Sequence, residues 1–153
     1  HWLLLKQWYS KLMYVVSFNN NESNMFSATR GTKQGSVLSP QLFNVFLNHL
    51  LKRLSECQAG VRMGKTLFNS FAYADDVSVF GSTIPGLQQL VDICYGYAQT
   101  WRFKFCILKT KCMTAGKQIL NSVPQFLLVA NHIYTLHSIA ILGVTICSDS
   151  SIA

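Results

Sequence analysis

Tyr73-Ala74-Asp75-Asp76 lies between two short apolar runs, Asn69-Ser70-Phe71-Ala72 and Val77-Ser78-Val79-Phe80. The runs read as strands and the four residues as the tip of a hairpin. Neighbouring carboxylates repel one another unless a cation sits nearby. The chain has six acidic residues against thirteen Lys and Arg, so a third of its acids stand in one turn. Carboxylate oxygens suit Mg²⁺ or Mn²⁺ as that cation. The bland alternative is an exposed Asp-Asp turn that only closes a hairpin.

Such a tip needs supporting elements. Ser39 suits a helix N-cap and Pro40 the first helical position. Leu42, Phe43, Phe46, Leu47, Leu50, Leu51 and Leu54 then recur at steps of three and four, one apolar helical stripe. Lys52 and Arg53 fall in its last turns, where positive charge complements the helix dipole. Gly60 to Thr66 reads as a turn-rich connection. Beyond the hairpin, Pro85 and Gly86 precede a second helical pattern at Leu87, Leu90, Val91, Cys94, Ala98 and Trp101, weakened by Gly96 by about 1 kcal/mol relative to Ala.

Upstream, Leu4, Leu5, Trp8, Tyr9, Leu12 and Met13 predict a helix over Trp2 to Val16. Phe18 to Ser23 is an Asn-rich turn, Met25 to Thr29 a short strand, and Arg30 to Ser36 a flexible basic loop. Phe103 to Met113 is irregular and carries Lys104, Lys109 and Lys111. Phe126 to Ala130, Ile133 to Leu136 and Ile139 to Ile146 read as terminal strands. This order predicts an α+β fold, a small antiparallel sheet backed by helices.

At 153 residues the chain is one domain or a piece of one. It is 50% hydrophobic and 12% charged, apolar enough to predict faces covered by other protein parts. The net charge of +7 favours a polyanionic partner, or else a basic surface with none. Gln118 to Ser148 lacks Asp, Glu, Lys and Arg, but Pro124, Asn131, His132, His137 and Gly143 break it, so no membrane span is expected. Cys57, Cys94, Cys106, Cys112 and Cys147 contain no Cys-x-x-Cys and read as reduced, buried thiols of an intracellular protein. Their spacing with the histidines fits no common zinc ligand set. The opening at His1, inside an apolar pattern, is read as a fragment.

Arg30-Gly31-Thr32-Lys33-Gln34-Gly35-Ser36-Val37-Leu38-Ser39-Pro40-Gln41-Leu42-Phe43, then Phe71-Ala72-Tyr73-Ala74-Asp75-Asp76, then Trp101, Lys109-Thr110-Lys111 and Leu142-Gly143-Val144 resemble reverse transcriptases of the non-LTR, LINE-like retrotransposon group. The resemblance implies an RNA-directed DNA polymerase using two divalent metals, Mg²⁺ or Mn²⁺. Its implied partners are an RNA template, a DNA primer and deoxynucleoside triphosphates. Asp75 would be the main metal ligand and Asp76 a secondary one. Gln34 and Gly35 would lie beneath the templating base and incoming nucleotide, and Tyr73 is a further substrate- or template-binding candidate. Arg30 and Lys33 are phosphate-contact candidates. Lys109 matches a lysine near the leaving pyrophosphate, although spacing alone does not separate it from Lys104 or Lys111. Leu142 and Gly143 match a hairpin that grips the primer.

The resemblance also implies what is missing. Residues 1–153 would be a partial palm domain, with the fingers and the strand bearing the first catalytic aspartate upstream and the thumb absent. The missing parts belong to a parent polyprotein. The family tends to have Gly where Arg102 stands, Asn where Cys106 stands, and an aromatic where Ile141 stands. The isolated chain is therefore expected to be inactive as a polymerase. The rival readings are a basic nucleic-acid-binding remnant without catalysis, and an unfolded relic.

Overall fold

The computed structural model describes residues 1–28, 31–115, 126–128, 131–141 and 144–148. They form two compact units, His1–Phe43 and the part from Asn44 onward.

In the first unit, helix α1 (Trp2–Ser10) ends at Lys11, whose backbone N–H donates to the carbonyl of Trp8. The predicted helix to Val16 is therefore too long. Met13–Tyr14 is instead strand β1. Ser17–Phe18 forms β2, Asn21–Glu22 forms β3 and Phe26–Ser27 forms β4. β1 pairs antiparallel with β4, and β2 with β3. The helical spacing continues past Ser10, but Asn19 and Asn20 both adopt positive φ, 47° and 60°. That pair makes a two-residue hairpin turn, which Asn accepts more readily than most residues. The hairpin draws the β-branched stretch Val15-Val16 out of the helix. Tyr14 stacks on Phe26 across the β1–β4 pair, with ring centroids 6.2 Å apart.

Helix α2 (Ser39–Glu56) follows the basic loop. Ser39, expected as the N-cap, is itself the first helical residue, and its buried hydroxyl donates to the Lys33 carbonyl at 2.5 Å. Its stripe buries Leu47, Leu50 and Leu54 in the second unit. The connection after it is a hairpin rather than plain turns. β5 (Val61–Met63) and β6 (Thr66–Phe68) pair antiparallel around Gly64, which has φ +62°. Then come β7 (Ser70–Tyr73) and β8 (Asp76–Val79), the hairpin expected from sequence.

Helix α3 (Ile84–Trp101) matches the second helical pattern. Thr83 caps it, its hydroxyl accepting from the Gly86 N–H at 3.2 Å, and a proline occupies the first turn. The helix buries Leu90, Val91, Cys94, Tyr97 and Ala98. Tyr97 is fully buried and donates its hydroxyl to the Phe46 carbonyl at 2.6 Å. The Phe46 ring meets Tyr97, Trp101 and Phe103 with centroids 5.6–5.7 Å apart. These contacts lock α3 onto α2. Burial pushes the Cys94 thiol up to about 12, so it is neutral and unreactive at ordinary pH.

The helix ends in a Schellman motif. The Phe103 N–H donates to the Ala98 carbonyl and the Arg102 N–H to that of Gln99. Arg102 sits at the left-handed position, φ 56°, where the family resemblance expects glycine. Arg102→Gly is expected to raise stability by about 0.5–1 kcal/mol, the relieved strain less glycine's extra chain entropy. Urea unfolding checks this; an unchanged or lower midpoint would refute the strain.

β9 (Lys111–Met113) is parallel to β11 (Asn131–Leu136), which pairs antiparallel with β10 (Phe126–Leu128). Val91, Cys112, Leu128 and Ile133 form a buried cluster between this sheet and α3, flanked by Leu87, Tyr95 and Ile107. Gln88 of α3 grips the β10 backbone. Its Nε2 donates to the Leu127 carbonyl at 2.9 Å and its Oε1 accepts from the Leu127 N–H at 3.0 Å. The run Ile139 to Ile146 is two strands, not one. β12 (Ser138–Ile141) and β13 (Val144–Cys147) pair antiparallel with Ile141 opposite Val144. The fold is α+β as expected, although its strands form small separate sheets among the described residues. No helix among those residues is long and apolar enough to cross a membrane. Cys57, Cys94 and Cys112 are buried, whereas Cys106, expected inside, is exposed on a turn.

Candidate functional site

The β7–β8 hairpin turns in two residues, Ala74 and Asp75, with Tyr73 opposite Asp76. Ala74 has φ 50° and Asp75 does not share that sign. Positive φ at the first central residue alone is the sign pattern of a type II′ turn. Glycine usually takes that place, and alanine there carries strain of order 1 kcal/mol. The tight turn leaves Tyr73, Ala74, Asp75 and Asp76 exposed while Val77, Val79, Phe71 and Ala72 are half-buried. Phe80, just past β8, stacks on Phe71 and packs against Phe68, with centroids 5.7 and 5.1 Å apart. The apolar strand residues hold the hairpin down, and its carboxylates meet solvent.

The hairpin borders a recess of about 430 Å³. Ala72 and Ala74 line one side, and Asn44, Val45, Leu47, Asn48 and Leu51 of α2 the other. Asn44 and Asn48 are one helical turn apart and bring two amide side chains to a wall that is otherwise apolar. Sequence reasoning missed both. Their signal was present as two amides four residues apart beside the leucine stripe.

It also missed Asn69, the residue before β7. Asn69 is buried, and its Nδ2 lies 2.7 Å from the Leu54 carbonyl, 3.2 Å from that of Ala59 and 3.3 Å from that of Cys57. Its own carbonyl accepts from the Phe80 N–H at 2.8 Å.

The remaining expected residues are distributed as follows. Tyr73, Asp75 and Asp76 share the hairpin tip. Lys109 is exposed in the second unit, on a turn whose N–H donates to the Cys106 carbonyl at 3.1 Å. Lys33, Gln34 and Gly35 belong to the first unit. There Lys33 lines a small recess of about 40 Å³ with Trp8, Tyr9, Leu12 and Ser36. Gly35 has φ +77°, so its conformation suits glycine. Arg30, Leu142 and Gly143 lie outside the described residues.

Asp75 and Asp76 offer the hard oxygen donors that a divalent cation takes. Among the described residues no group of three or more His, Cys, Asp or Glu gathers that could hold a metal ion.

The model of the reverse transcriptase (RNA-dependent DNA polymerase) family matches residues 1–146. Over 94 residues the chain is 37% identical to the "Retrovirus-related Pol polyprotein from type-2 retrotransposable element R2DM" of Drosophila melanogaster, covering 61% of this chain and 9% of that protein. Its counterpart from a type-1 R2 element of Popillia japonica is 29% identical over 122 residues, 76% of this chain and 20% of that protein. One from Nasonia vitripennis is 41% identical over 59 residues, 39% of this chain and 6% of that protein. The chain thus spans a fifth or less of the length of these relatives. The match runs through the basic loop, the carboxylate hairpin and the strands beyond α3, and on it the chain belongs to the reverse transcriptase family, within the non-LTR, LINE-like retrotransposon group.

Proposed function

We propose that this chain is a palm portion of an RNA-directed DNA polymerase. In this reading the fingers, the strand with the first catalytic aspartate and the thumb belong to parent sequence outside these residues. The observation that carries it is the two-residue turn that presents Asp75 and Asp76 to solvent beside the α2 recess.

Reverse transcriptases generally use divalent metals. Asp75 and Asp76 would hold Mg²⁺ or Mn²⁺, which supplies Lewis-acid stabilisation of the transferred phosphoryl group when bound. The other residues of this chain orient the nucleic acid and nucleotide. The left-handed Gly35, with Gln34 beside it, lets backbone approach a flat base pair closely. Lys33 and Arg30 are cations for template or primer phosphates. Lys109 offers positive charge near the departing pyrophosphate. Tyr73 supplies a ring next to the carboxylates, and Leu142 and Gly143 would steady the primer strand. Substrates are an RNA template, a DNA primer and deoxynucleoside triphosphates.

The isolated chain falls short of polymerase activity, because two carboxylates cannot hold two ions firmly. The net charge of +7 favours a second reading, a basic nucleic-acid-binding remnant without catalysis. Filter binding and primer extension separate the two. Binding of primer–template is expected to weaken steeply between 50 and 200 mM salt, as counterion release requires; no binding at low salt would remove both readings. Primer extension with Mg²⁺ is expected to stay at background. Clear incorporation that Asp75→Ala abolishes would overturn the inactivity and establish the polymerase.

A further inference from the structure

We infer that Asn69 is a positioning residue for the Asp75–Asp76 turn, its buried amide fixing the base of the carboxylate hairpin to the end of α2. The inference takes its catalytic meaning from the reading of that turn as a metal-holding site. The last carbonyls of a helix have no partner within it. Here the Leu54 carbonyl and those of Cys57 and Ala59 just beyond converge on one Nδ2, at 2.7, 3.3 and 3.2 Å. The amide has two N–H groups for three acceptors, so none of its donor capacity is left over. Its Oδ1 is engaged as well, accepting from the Ser70 hydroxyl at 3.1 Å.

The backbone of the same residue closes the hairpin. Phe80, the residue after β8, donates its N–H to the Asn69 carbonyl. Both ends of the hairpin therefore meet at Asn69. Gly60 presses on it from a third side. A Cβ on Gly60 would come within 2.9 Å of the Asn69 Cβ and of the Phe68 carbonyl oxygen. The Gly60 carbonyl accepts from the Ser82 N–H at 3.3 Å, just ahead of α3. An apolar side chain could fill the same volume. Only a donor satisfies these carbonyls, two in buried bonds and that of Ala59 in a part-buried one. Leu54 also takes the Cys57 N–H, but buried polar groups left short of partners are costly. The polar node thus fixes where the four-residue strands start and hence where their tip ends.

The test uses the ¹⁵N-labelled full chain and two readouts. One is amide hydrogen-exchange protection of Phe71–Val79 against that of Cys94–Ala98 in α3. The other is line broadening of Tyr73–Val77 by Mn²⁺. Asn69→Ala is expected to lower hairpin protection about tenfold or more while α3 changes less than about threefold. It is also expected to raise the Mn²⁺ concentration for half-broadening about fivefold. Asn69→Asp keeps the shape, but at neutral pH its carboxylate cannot donate. Its hairpin protection is expected to return on acidification, because a buried carboxyl among carbonyl oxygens holds its proton above the usual carboxylate range. Asn69→Ala would show no such recovery. Equal loss in hairpin and α3, unchanged hairpin protection, or no acid recovery in Asn69→Asp would each overturn the inference. Should Asn69→Ala fail to fold, the acid recovery of Asn69→Asp decides alone. Absence of Mn²⁺ broadening in the parent chain would remove the metal reading, and the exchange data would still judge Asn69.

Discussion

Replacing Leu54 with alanine is expected to destabilise the chain by about 3 kcal/mol or more, the cost of a cavity where no solvent reaches. Leu54 is 0% exposed. Its side chain belongs to the α2 stripe with Leu47 and Leu50, and its carbonyl takes the shortest of the Asn69 bonds. A void there loosens the stripe and the hairpin base together. Domains have only about 5–15 kcal/mol to lose. Val45→Ala on the same helix is the control, because Val45 is 73% exposed and its loss should stay within about 0.5 kcal/mol. Urea midpoints of the two variants measure the contrast. Similar midpoints would mean that α2 does not anchor the second unit.

The double replacement Asp75→Asn, Asp76→Asn is expected to abolish Mn²⁺ broadening of the turn amides, with apparent affinity falling about a hundredfold or more. The asparagines keep the size and hydrogen-bonding reach of the side chains but remove both charges. Because both positions are exposed, the urea midpoint should barely move. The net charge rises from +7 to +9, so nucleic-acid affinity at low salt should hold or increase. Loss of metal with retained binding is the signature of a carboxylate site on a basic scaffold. Persistent broadening of the same amides would place the ion elsewhere and end the assignment of Asp75 and Asp76 as its ligands.

The carboxylate hairpin was legible because its runs flank a sharp, charged break. The two 18-residue helices were legible because their stripes extend over several turns and proline marks each start. The first-unit strands span two residues each, too few for alternation to declare itself, and β5–β6 hid within glycine-rich text. The end of α1 was misplaced because the apolar spacing outlasts the helix, and only the paired strands show which period wins. Ile139 to Ile146 read as one strand from its apolar composition alone, whereas β12 and β13 pair antiparallel, in keeping with the hairpin that the resemblance implied there. Asn69 could not be found from sequence at all, since its meaning lies in three carbonyls of another segment. Arg102 stood out against the family pattern, and the left-handed turn there supplies the reason.

The grip of Gln88 on Leu127 has a wider consequence. A side-chain amide carries the same donor and acceptor as a peptide unit, so it occupies the outer rim of β10 as a one-residue false neighbour. An open rim on so greasy a chain would invite a second molecule to zip alongside and seed fibrils. With Leu127 already paired, the β10 side of this sheet offers a second strand less to zip against, which leaves β9 as its other edge.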